Sequence, residues 1–204
     1  MLFQNNIDMR AKYSSVVVYL GSSSGIGEKY KNDAYNLGKA LVQMGTTLIY
    51  GGACVGTMGA LAQGALEAGG KVVGVFPEGF KGKKENSIRG INVRATNLTE
   101  LIATPSIAAR VEKMTQLSQA AIILPGSFGT MHEFFAYALE LQLGLHSKPI
   151  FVLNTDGFYD PIKSLISNMI VCGFMSSDEQ GLVRFCDTVE ELVAELGVME
   201  DRDL

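Results

Sequence analysis

The chain has no tryptophan, only two histidines (His132 and His146) and only three cysteines (Cys54, Cys172 and Cys186) among its 204 residues. Each shortage closes a class of function. So few histidines and cysteines, with no CxxC pair, barely supply the ligands of a zinc site. An odd, sparse cysteine count argues against a disulfide framework and fits a reducing cytoplasm. Charged residues make up only 19% of the chain and the net charge is −4. No global basic field therefore draws in nucleic acid or an anionic membrane, and an anionic ligand has to be held by local donors. The apolar run Val16–Leu20 is far too short to span a bilayer. The polar, mixed opening Met1–Ala11 resembles neither a signal peptide nor a membrane anchor.

What is present is a globular composition, 47% hydrophobic, with no repeat, no low-complexity tract and no visible domain boundary. We expect one domain over residues 1–204, its core about 15–197. Short runs rich in Val and Ile read as buried strands: Ser15–Leu20, Thr47–Tyr50, Lys71–Phe76, Ala121–Leu124 and Ile150–Leu153, with Asn92–Ala95 a weaker candidate. Between them lie helix-length segments: Glu28–Met44, Thr57–Ala68, Ile107–Ser118, Thr130–Leu143, Pro161–Cys172 and Val189–Leu196, the last capped by Asp187 or Thr188. This alternation predicts an α/β fold, a Rossmann-like parallel sheet with helices on both faces. The stretch Glu78–Arg89, with Lys81, Lys83, Lys84 and Glu85 among glycines, reads equally as a solvated loop or as a flap over a substrate.

In such a sheet, ligands bind where the carboxyl ends of strands lead into helices. Three of these loops are glycine-rich here. They are Gly21-Ser22-Ser23-Ser24-Gly25, Gly51-Gly52-Ala53-Cys54-Val55-Gly56-Thr57-Met58-Gly59, and Pro125-Gly126-Ser127-Phe128-Gly129-Thr130. Glycines let backbone N–H groups approach a ligand, and a following helix N-terminus adds open donors for phosphate. One such loop is weak evidence, since tight strand-helix turns need glycine for packing. Three at one sheet edge favour a phosphate-bearing ligand. The first loop is not a clean GxGxxG, and no acidic residue follows the second strand, so NAD is disfavoured. No GxxxxGK[ST] run is present.

Thr130-Met131-His132-Glu133 has the form of a T-x-x-E capping box, which would make Glu133 a helix cap. Helical side chains tilt toward the N-terminus, so the same glutamate would also overhang the glycine loop beside a bound phosphoribosyl group. Arg110 borders the apolar stripe Ile107, Val111, Met114 and Leu117, and reads either as a surface arginine or as a site residue. Nothing in their spacing marks His132 or His146 as a ligand or a base.

Together these residues resemble the LOG-type enzymes, the cytokinin riboside 5′-monophosphate phosphoribohydrolases often labelled "lysine decarboxylase-like". The resemblance runs from about Val16 to Leu196. It rests on Gly21-Ser22-Ser23 for the family's GSS loop, on GGACVGTMG at 51–59 for GGGxxGxMG, and on PGSFGTMHE at 125–133 for PGGxGTxxE. The stretches QLGLHSKP (142–149) and LNTDGFYD (153–160) are also typical. It implies a homodimer and hydrolysis of an N-glycosidic bond, splitting adenine-type nucleoside 5′-monophosphates into free base and ribose 5-phosphate with no metal or organic cofactor. By the resemblance, Glu133 and Arg110 are catalytic. Gly21, Ser22, Ser23, Gly51, Gly52, Gly56, Thr57, Glu85 and the loop Gly126, Ser127, Phe128, Gly129 and Thr130 hold the substrate, with Glu85 aligned only loosely. The chain departs from the family pattern at Ser127, Ala53, Ile107 and Val111. The last replaces a lysine, and so removes a positive charge expected near the ligand. A pyridoxal-phosphate decarboxylase needs a Schiff-base lysine, and nothing marks Lys148 or any other lysine as one. The competing reading is a non-catalytic binder or carrier of a phosphorylated small molecule, such as a nucleotide or the molybdenum cofactor.

Overall fold

The computed structural model describes residues 9–78, 87–88, 91–92 and 95–199. A seven-stranded sheet forms its centre. We number the strands β1 (Ser15–Tyr19), β2 (Thr47–Tyr50), β3 (Val72–Pro77), β4 (Glu100–Thr104), β5 (Ala120–Ile123), β6 (Ile150–Leu153) and β7 (Val183–Cys186). All pairings are parallel, in the order β7-β6-β5-β1-β2-β3-β4. The helices are α1 (Lys29–Gln43), α2 (Gly56–Glu67), α3 (Ile107–Leu117), α4 (Phe128–Gln142), α5 (Asp160–Val171) and α6 (Val189–Leu196). Small antiparallel pairs join Met9–Ala11 to Gly197–Met199 and Ser87–Ile88 to Ile91–Asn92.

The interior strands β1, β2, β3, β5 and β6 are largely apolar because both of their faces are covered, and alternate residues serve opposite cores. Val16, Val18, Leu48 and Tyr50 pack with Leu37 and Leu41 of α1, Leu61 of α2, and Leu192 and Leu196 of α6. Val17, Tyr19 and Ile49 face the other way, against Met114 of α3 and Phe134 and Tyr137 of α4. On the first face α1 and α2 approach until their backbones almost touch. A Cβ at Gly38 would lie 2.1 Å from the Leu61 carbonyl oxygen, and one at Gly64 would lie 2.1 Å from that of Tyr35. Only glycine fits at either position.

The expected interior strands are present, while both edges of the sheet differ from expectation. Of the weaker candidate Asn92–Ala95, residues 93 and 94 lie outside the described residues; Asn92 ends a small strand paired with Ser87–Ile88, apart from the main sheet, and the Ala95 N–H donates to the Gly52 carbonyl at 2.9 Å. The edge next to β3 is instead β4, and the other edge is β7. Both are largely half-buried or exposed, so neither shows the continuous apolar run of a buried strand. Thr188 caps α6, its side chain accepting from the Glu191 N–H at 3.1 Å. Helix α4 begins at Phe128, with Ser127 as its N-cap. Thr130 therefore lies inside the first turn and Glu133 beyond it, so the T-x-x-E run is not a capping box. Among the described residues, no helix is long and apolar enough to cross a membrane.

Candidate active site

Strand order reverses between β1 and β5: β2, β3 and β4 extend to one side of β1, and β5, β6 and β7 to the other. At such a switch point the loops leaving the two central strands diverge and open a crevice. The register pairs Tyr19 with Ile123, and the Gly21 N–H donates to the Pro125 carbonyl at 3.2 Å. The first and third glycine loops therefore leave the sheet side by side. Between them and the end of β3 lies a cavity of about 460 Å³, a size suited to a small-molecule ligand.

Arg110 and Glu133 meet in its lining. Arg110, from α3, donates through Nε to the Val75 carbonyl at 2.9 Å and through a terminal nitrogen to the Glu133 carboxylate. The other terminal nitrogen passes over Gly51, where a Cβ would lie 2.2 Å away. The guanidinium is thus held at Nε and at one terminal nitrogen. Glu133 is almost fully buried. Burial pushes its carboxyl above the ordinary carboxylate value, while the Arg110 guanidinium, and to a smaller extent His132, pulls it back down.

The third loop supplies the opposite wall. The first-turn N–H groups of Phe128, Gly129 and Thr130 have no partner within α4, and all three residues line the cavity with Ser127. The Met131 N–H, which donates to the Ser127 carbonyl at 3.0 Å, is the first tied into the helix. These are open backbone donors of the kind from which helix N-termini can build anion sites. Leu20, Met58, Phe76, Pro77, Ile107 and Phe128 make the remaining lining largely apolar.

Of the other residues singled out from sequence, Gly21, Ser22 and Gly51 line the cavity, whereas Ser23, Gly52, Gly56, Thr57 and Gly126 do not. Thr57 is buried. Its hydroxyl donates to the Gly21 carbonyl at 2.8 Å and its N–H to the Ser23 carbonyl at 3.3 Å, so it braces the first loop. Gly56 lines a separate, more polar cavity with Ser24, Lys31, Tyr50 and Cys54. Glu85 lies outside the described residues. Val111 is buried beneath α3 and outside the cavity lining. Position 111 therefore does not face the ligand space, contrary to the expectation of a lost cavity charge. His132, which the sequence reading passed over, does line the cavity. Its only sequence signal is that it directly precedes Glu133. Among the described residues no lysine lines this cavity, and none form a metal-holding cluster. Lys148 instead donates to the Thr115 carbonyl at 2.6 Å.

The model of a family described as "Possible lysine decarboxylase" matches residues 58–196. The chain is 39% identical over 180 residues to a cytokinin riboside 5′-monophosphate phosphoribohydrolase of Rhodococcoides fascians, covering 88% of this chain and 87% of that protein. It is 34% identical over 189 residues to the cytokinin riboside 5′-monophosphate phosphoribohydrolase LOG of Oryza sativa subsp. japonica, covering 93% and 75%. Among solved structures, the molybdenum cofactor carrier protein of Chlamydomonas reinhardtii superposes with a TM-score of 0.64 at 23% identity, over 89% of this chain and 94% of that one. The molybdenum cofactor binding protein of Rippkaea orientalis gives 0.63 at 21%, over 89% and 93%. At such identities the structural likeness speaks to the fold alone.

Proposed function

This chain belongs to the family described as possible lysine decarboxylases, which it shares with the cytokinin riboside 5′-monophosphate phosphoribohydrolases, and from that premise we propose that it hydrolyses the N-glycosidic bond of AMP or an N6-modified adenosine monophosphate. The products are the free base and ribose 5-phosphate. The observation that carries the reading is the Arg110–Glu133 pair, held in a cavity whose far wall is an open helix N-terminus.

The 5′-phosphate accepts from the N–H groups of Phe128, Gly129 and Thr130, which fixes the ribose with C1′ toward Glu133. As the C1′–N bond breaks, positive charge develops on the sugar, as in glycoside hydrolysis. The Glu133 carboxylate stabilises that charge and takes a proton from the attacking water. Arg110 keeps Glu133 ionised and oriented. The decarboxylase description finds no support at the site, since no described cavity residue is a lysine able to form a Schiff base.

Incubation with AMP, followed by assay for free adenine and ribose 5-phosphate, tests the reading. AMP is expected to be cleaved far faster than adenosine, because the third loop recognises the phosphate. Binding of AMP without release of base would favour the carrier reading. We also place the protein in the cytoplasm, as its sparse cysteines suggest. A second copy is proposed to cover the exposed Phe135, Leu139 and Leu143 of α4, and sedimentation as a monomer at micromolar concentration would remove this dimer.

A further inference from the structure

Hydrolysis of a purine nucleotide has a second demand besides charge on the sugar: the base leaves most easily as a neutral molecule, and so needs a proton on a ring nitrogen. The charged side chains among the described residues lining the cavity are Arg110 and Glu133. A guanidinium does not release its proton, and Glu133 is engaged as a carboxylate by Arg110. Ser22, Ser127 and Thr130 offer only alcohols. The remaining described lining residue with a transferable proton is His132, and imidazole is the side-chain type that exchanges protons near neutral pH.

Its position suits the task. Glu133 turns inward from α4 and is buried, while His132, one residue earlier on the helix, is exposed at the cavity. Phe128 stands four residues before His132, on the same helical face, and is 93% exposed. With the phosphate at the start of α4 and C1′ at Glu133, the base extends toward this mouth, between Phe128, Ile107 and His132.

Resting on the hydrolase reading above, we infer that His132 is the general acid that protonates the departing base. The imidazolium gives its proton to a purine ring nitrogen, and the C1′–N bonding pair passes to the base, which leaves neutral. Water adds to C1′ and gives a proton to Glu133; Glu133 then releases that proton to solvent, and the neutral imidazole is reprotonated from solvent.

The test compares wild type with His132→Gln on two substrates. One is AMP. The other is ribose 5-phosphate bearing 4-nitrophenolate at C1, a leaving group that departs as a stable anion. The expected result is a fall in kcat/KM on AMP of about a hundredfold, the scale of a lost general acid, with the nitrophenyl substrate changed by less than about threefold. The acid limb of the AMP pH profile, set by Glu133 beside Arg110, stays. An equal fall on both substrates makes His132 a structural residue and overturns the proposal, as does unchanged AMP turnover. A wild type that releases no base from any nucleotide overturns the hydrolase reading and this step with it.

Discussion

Two loops of this protein look alike in sequence and behave in opposite ways. Gly51–Gly59 and Pro125–Thr130 both leave a central strand, both are rich in glycine and both enter a helix. At the start of α2, the Thr57 and Met58 N–H groups donate to the Ser23 and Gly21 carbonyls. At the start of α4, the N–H groups of Phe128, Gly129 and Thr130 are left for the cavity. The first loop is a brace, and the second is the one proposed above as the phosphate receptor. Glycine content alone cannot distinguish them; what matters is whether a neighbouring strand end brings carbonyls within reach of the helix start.

The largest effect is expected on the receptor side. Glu133→Gln keeps an accepting oxygen for Arg110 but loses the charge and basicity the reaction uses. It should lower base release from AMP by about a hundredfold or more, and near-wild-type release would remove Glu133 from the mechanism. Next comes the place where the brace passes against Arg110. In Gly51→Ala the new methyl meets the far ends of two side chains, the Arg110 guanidinium most closely and then Met58 Cε, so the fold should survive while the guanidinium is displaced from Glu133. A loss of about tenfold or more in kcat with little change in thermal stability is expected. Unchanged kcat would separate the two loops completely.

A shift in pH dependence is a smaller and sharper probe. The reaction uses ionised Glu133, so activity falls as pH drops through its pKa, which burial raises above the ordinary carboxylate value. In Arg110→Ala the opposing guanidinium is gone, and the acid limb of the residual kcat/KM profile should move to higher pH. A limb that stays put would mean that another group controls it. The smallest effect belongs to the brace alone. Thr57→Val removes the hydroxyl bond to Gly21 and should lower stability by about 1 kcal/mol with KM for AMP unchanged. A raised KM would make Thr57 a ligand residue after all.

The sequence was most readable where burial is complete. Val16–Leu20 and Ile150–Leu153 are covered on both faces and so read as continuous apolar runs. Glu100–Thr104 and Val183–Cys186 escaped notice because an edge strand needs only part of that apolar character. Glu133 and Arg110 stood out by motif, but their pairing across α3 and α4 is a long-range contact that no local spacing encodes. Thr57 was assigned to the ligand through the resemblance of its glycine-rich motif; only the fold reveals that its hydroxyl donates to the Gly21 carbonyl. The capping reading of Thr130 and Glu133 failed because Ser127, an equally good cap residue, starts the helix earlier.

The near-contact of α1 and α2 at Gly38 and Gly64 has a consequence for how the molecule opens. Two helices whose backbones abut cannot separate by side-chain rearrangement, so they should unfold as one cooperative unit. The loops that enter them, 21–28 and 51–55, are tied to each other through Thr57 and Met58 and belong to the same unit. Amide hydrogens along α1 and α2 should then exchange with a common opening free energy. Any motion that widens the cavity from this side would carry both loops together, while α4, packed on the opposite face of the sheet, would stay in place.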